Sequence, residues 1–144
     1  MSEPDLQALV HAHAAETDHG SAAAAARRGA VRALHDGGRL AAVADRCAAA
    51  RILLPGPVAD VELAQALVLA AMAHEPAARR LAAEAYDRLR VLAGRPQKFG
   101  TQTTVHDGRG ELWPVDAATT DSERAKWGVE PLAELRRRAA TMRG

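Results

Sequence analysis

The chain has 144 residues, one domain's worth, and its 48% apolar and 26% charged residues describe a globular chain with a core. Lys and Arg total 19 against 18 Asp and Glu, so the basic excess of a nucleic-acid binder is missing. There is no run of about 18 apolar residues, which argues against a membrane span.

Aromatic residues make up only 3% of the chain, and all four (Tyr86, Phe99, Trp113 and Trp127) fall late in it, while the N-terminal half runs on alanine. The lone cysteine, Cys47, has no internal disulfide partner and suits a reducing cytoplasm. The acidic start Met1-Ser-Glu-Pro-Asp5 does not read as a secretion signal, so a cytoplasmic location is expected.

In chain order, Leu6, Leu9, Val10 and His13 recur at helical spacing behind Pro4, which predicts a first helix over 4–17. Ser21 is a cap for a second helix through Leu34. Asp36-Gly-Gly38 reads as a turn before a third helix over 39–50. The stretch Ile52-Leu-Leu-Pro55-Gly-Pro57 reads as a connector, because two prolines break helix. Asp60 is expected to cap a helix to His74, whose stripe Leu63, Leu67, Ala70 and His74 puts the histidine on the apolar side. Pro76 opens the next helix, and Gly94 with Pro96 stops it. Phe99–His106 and Glu111–Val115, joined by Asp107-Gly108, predict a hairpin with Pro114 on an edge. Residues 119–127 form a loop or short helix, and Pro131 opens a last helix to Met142. The fold class is therefore mainly α: a compact helical bundle with a short C-terminal β-hairpin, in one domain over 1–144, with N-terminal helices over 1–35.

Neither a metal motif nor a glycine-rich phosphate loop nor a nucleophile elbow is present, so neither a metal nor a cofactor is expected. His11 and His13 point about 200° apart on a helix and do not share an ion. Cys47, among alanines, reads as a small core residue. The segment Gln97-Lys-Phe99-Gly100-Thr101-Gln102 stands apart: two amides, a hydroxyl, a ring and a glycine where helix gives way to strand. These residues either hold a polar ligand or satisfy the hairpin's own backbone, and the sequence leaves both readings open.

The runs Gly94-Arg-Pro-Gln97-Lys-Phe-Gly100-Thr101-Gln102, Trp113-Pro114-Val-Asp116 and Ser122-Glu-Arg124-Ala-Lys-Trp-Gly128-Val-Glu-Pro131-Leu132 resemble the bacterial family called domain of unknown function 6624. The resemblance spans roughly Asp36 to Met142. This chain would be a divergent member: Ala73 stands where the family has a Gln before His74, and only Arg124 of an arginine pair is kept. The resemblance implies site positions and not chemistry, and adds Asp87 and Arg88 of the preceding helix.

Together these positions predict a site. His74, Asp87 and Gln102 would carry catalysis, and Arg88, Gln97, Phe99, Gly100, Thr101, Trp113 and Arg124 would hold the substrate. A histidine beside a carboxylate works as acid or base near neutral pH, and the amides would orient the ligand or steady an oxyanion. The reading is a small cytoplasmic enzyme doing metal-independent acid–base chemistry (hydrolysis, elimination, isomerisation or cyclisation) on a small polar metabolite. The alternative is a non-catalytic ligand- or protein-binding accessory module that uses the hairpin and an exposed patch of Phe99, Trp113 and Trp127. A metal site of His74, Asp87 and His106 has nonstandard spacing. The expected partners are a small-molecule ligand, neither nucleic acid nor membrane, and a second copy of the chain through its alanine-rich helices.

Overall fold

Helices α1 (Leu6–Ala15), α2 (Ala22–Asp36), α3 (Val43–Leu53), α4 (Val58–Ala71) and α5 (Ala77–Leu92) precede a hairpin, β1 (Thr103–His106) and β2 (Arg109–Leu112), in a computed structural model that describes residues 5–143. Helices α6 (Asp121–Lys126) and α7 (Leu132–Ala140) follow. The fold is mainly α with a short late hairpin, as the sequence predicts. None of the described helices is long and apolar enough to cross a membrane. The chain divides into two compact units, Met1–Leu81 and Ala82–Gly144, that part within α5.

The first unit is built on small side chains. Ala49, Ala50, Ala64 and Ala71 are fully buried, and they let α3 lie close along α4. Val31, Ile52, Leu53, Val61 and Val68 supply the bulk, and the Cys47 thiol is buried with them, which raises its pKa. The Asp5 and Ser21 side chains accept from the Gln7 and Ala24 amides and start α1 and α2. Between them Glu16 accepts from the Thr17 and Asp18 amides, the Ser21 hydroxyl and Arg27.

Several boundaries differ from the sequence reading. Ile52 and Leu53 are not connector but the last turn of α3, because both are needed in the core. The third helix starts at Val43, not Arg39, and Leu40 is buried in the lead-in. Pro57, not Asp60, stands at the N-cap of α4. Asp60 lies one turn inside, where it pairs with Arg28 at 3.3 Å and Arg32 at 2.7 Å. Of the predicted stripe on α4, Leu67 is buried and Leu63 half-buried, but Ala70 and His74 are exposed. The buried face is Val61, Ala64, Leu67, Val68 and Ala71. Helix α4 is apolar nearly all round, so periodicity could not choose its inner face.

In the second unit, β1 and β2 pair antiparallel from Thr103↔Leu112 to His106↔Arg109. Asp107 and Gly108 close the turn with φ of 52° and 75°, the two positive angles that a two-residue hairpin loop requires. Ala83, Phe99, Val129 and Leu135 form the core, with Leu112 and Trp127 packed on it. Strand β2 lies on α7 at Gly110, where an added Cβ would overlap the Ala139 carbonyl oxygen. The Gly110 amide also donates to the Met142 carbonyl at 3.1 Å.

Two glycine substitutions should move stability in opposite directions in urea unfolding. Gly110→Val should cost about 1–3 kcal/mol or more by overpacking. Gly29→Ala, in α2 with nothing within 4 Å of the new Cβ, should gain about 0.5–1 kcal/mol.

The first unit should loosen in acid. The Asp18 amide first, then Arg27 and Ser21, hold the Glu16 carboxyl down at about 2, against an ordinary value of 4.5. A depressed carboxyl stabilises the fold above about 4.5, and that contribution is lost as pH falls toward about 2. Burial, then His19 and Arg27, lower His13, whose ring stands 5.1 Å from that of His19, so protonation there also works against the fold. Thermal melts across pH 2–7 should show the loss, and Glu16→Gln should flatten its acid limb.

Candidate functional site

The residues around 97–102 form one hydrogen-bonded cluster centred on Asp87. Asp87 lies on α5, is fully buried, and points into the loop that follows the helix. Its Oδ1 accepts from the Lys98 and Phe99 amides at 2.8 and 2.9 Å. Its Oδ2 accepts from the Gly100 and Thr101 amides at 3.1 and 3.0 Å and from the Thr101 hydroxyl at 2.8 Å. Four consecutive N–H groups thus converge on one carboxylate, and Gly100 permits it with φ of 105°. This wrapping is why β1 begins at Thr103 and not at Phe99.

Gln97 closes the next ring of contacts. It is fully buried, and its Oε1 accepts from the Gln102 amide at 2.8 Å. Its Nε2 donates to the Gln102 and Trp113 carbonyls at 2.8 and 2.9 Å. Its backbone bonds to Pro114 and Asp116, forming an isolated bridge to Val115. One side chain therefore ties together both strand ends. The Gln102 Nε2 donates to the Thr101 hydroxyl at 3.1 Å and reaches the Glu84 carbonyl at 3.5 Å.

Arg124 pins the loop from α6. Its Nε donates to the Phe99 carbonyl at 2.6 Å, and its Nη1 donates to the Thr119 carbonyl and to Asp121. Its Nη2 is buried without a hydrogen-bond partner among the described residues. The Leu132 amide first, then Arg124, hold the Asp121 carboxyl below its ordinary range. The Phe99 ring is 3% exposed, with Tyr86 edge-on at 6.1 Å and Trp127 at 5.7 Å. Lys98 lies over Tyr86 and Phe99 and pairs with Glu123 at 2.9 Å.

The structure thus gathers Asp87, Gln97, Phe99, Gly100, Thr101, Gln102 and Arg124 into one cluster. Arg88 is half-buried on α5. His74 lies in the other unit, exposed in the turn after α4, with its amide bonded to the Ala71 carbonyl. It does not sit on the buried face of α4, which ends before it. The expected aromatic patch does not form either: Phe99 is buried in the core, Trp127 packs half-buried against it, and of the three only Trp113 stays open, at 41% exposed. His106 is exposed beside Asp107, and among the described residues no three of His, Cys, Asp and Glu gather at metal-ligand spacing.

Sequence reasoning missed one feature. A groove of about 300 Å³ runs along β2 and the residues after it, lined by Gly110 to Val115 and by Arg136 of α7. The Trp113 amide bonds to the Gln102 carbonyl, and the Gln97 side chain takes the place of the return bond between the two residues. By alternation Leu112, paired with Thr103, turns its backbone away from β1, on the same edge where the Gly110 amide meets the Met142 carbonyl. Arg137 and Arg138 pair with Glu134 and Glu130, whereas Arg136 has no ion pair among the described residues. Trp113-Pro114 was the visible signal; Arg136 joins it only through the packing of α7 on β2.

No protein-family model, curated protein or solved structure matches the chain.

Asp87→Asn should cost about 3 kcal/mol or more in chemical unfolding, since an amide nitrogen cannot accept from two of the loop's N–H groups. Thr101→Val, which removes one donor, should cost about 1 kcal/mol. Amide exchange at residues 98–101 should quicken in both variants, and more in the first.

Proposed function

We propose that the second unit is a non-catalytic binding module, and that the groove beside β2 takes an extended peptide segment of a partner protein. The observation that carries this is the groove itself: an exposed indole at Trp113, Pro114 beside it, and an Arg136 guanidinium without an ion pair among the described residues, along the part of β2 beyond the Gly110–Met142 bond. An outward-facing N–H and C=O at Leu112 suit main-chain pairing with a peptide. Trp and Arg are the side chains that most often anchor an interface. Glu111 lines the same groove, so it presents both charges and suits a peptide more than a simple anion.

The hydrogen bonds around Asp87 support this reading over the enzyme. Each of its oxygens already accepts at least two bonds from the chain, and Gln97 and Arg124 are likewise engaged with backbone. The cluster is then the frame that holds the hairpin. The resemblance to domain of unknown function 6624 fits a frame of this kind, because its Gly-Thr-Gln block is the loop that Asp87 holds. A reducing cytoplasm suits the buried thiol of Cys47.

A random peptide display selected on the intact chain tests the proposal. Selected peptides should bind with about tenfold loss or more in Arg136→Ala and in Trp113→Ala, and equally well to His74→Ala. If no peptide is selected, and small polar metabolites instead raise the melting temperature in a way that His74→Ala and Gln102→Ala abolish, the acid–base enzyme is the better reading.

A further inference from the structure

We infer that the outer face of α4 is the contact surface for a second copy of this chain, packed antiparallel about a two-fold axis near Ala66. The face lies in the first unit and is independent of the hairpin groove. Its exposed residues are Val58, Ala59, Glu62, Ala66, Leu69 and Ala70, and Ala73 continues it beyond the helix end. Val58 is 47% and Leu69 53% exposed, among the most open large apolar side chains in the structure. A solvent-facing helix surface is normally polar, and this one carries a single charge.

Charge complementarity singles out the occupant. Beside the face, Ala66, Leu67 and Ala70 form a shallow groove of about 160 Å³ with His35, Leu40 and Arg46. Arg46 donates through Nε to the Leu40 carbonyl, and its terminal nitrogens have no partner among the described residues. Glu62 likewise has no ion pair among the described residues. The face therefore bears one free carboxylate, and the groove one turn further along bears a cation. A two-fold antiparallel pair centred on Ala66 sets Glu62 of each copy opposite Ala70 of the other, where Arg46 and His35 stand. The face is its own complement: each carboxylate meets a cation, both ion pairs form at once, and the alanines let the two helices approach closely.

Sedimentation velocity over a concentration series up to about 1 mM tests this on the full chain. A concentration-dependent dimer is expected. Leu69→Glu, on the surface, should make it monomeric with unchanged circular dichroism, and with the wild-type melting temperature at concentrations where both are monomers. Glu62→Arg and Arg46→Glu should each weaken the dimer tenfold or more, and the double charge swap should restore it. Should Arg46→Glu not fold, His35→Glu combined with Glu62→Arg reads the same swap. A monomer at every concentration, or a dimer that Leu69→Glu leaves intact, overturns the inference. A dimer that Leu69→Glu dissolves but no swap restores overturns the register about Ala66.

Discussion

The second unit depends on one buried carboxylate. Asp87 has no exposed surface, yet it stays satisfied because four successive amides and a hydroxyl donate to it. A charge buried without such bonds would destabilise the fold by several kcal/mol, roughly the net stability of a domain this size. With them, the carboxylate sets the path of 98–101, and that path sets everything after it. Phe99 is turned into the core, Gly100 takes its left-handed angle, and Gln102 leaves the loop aligned to start β1.

Gln97 and Arg124 extend the same logic in opposite directions. Gln97 bridges the two strand ends and so substitutes for a third strand that the hairpin lacks. A two-stranded hairpin alone is marginal in water, and this one leans on a side-chain amide on one side and on α7 at Gly110 on the other. Arg124 fastens the carbonyl side of the loop to α6, as Asp87 fastens its amide side to α5. The polar side chains of Asp87, Gln97 and Arg124 all bond to the backbone of this loop and its neighbours.

The first unit obeys a different constraint. With almost no aromatic bulk, its core is made by bringing alanine faces together, so helix spacing and not side-chain volume sets the packing. Close packing of small residues does not require a polar outer face. Helix α4 keeps apolar residues on both sides, and its uncovered side is the surface assigned to a second copy.

Composition and local chemistry were enough to determine much of the architecture. Capping by Ser21, the Asp107-Gly108 turn, Pro76 before α5 and Gly94 after it are local signals, and each acts within a few residues of where it is read. The Gln97–Gln102 segment stood out too, through the odd polarity of the run. The arrangement of its residues did not. Which face of α4 is buried, where α3 ends and whether Phe99 and Trp127 lie in or out depend on packing partners far along the chain. The convergence of residues 98–101 on Asp87, more than ten positions away, and the meeting of Arg136 with Trp113 exist only in the folded unit. Sequence fixes the donors and acceptors; tertiary structure alone decides which of them face each other, because a polar group is used up by whichever partner the fold brings within 3 Å.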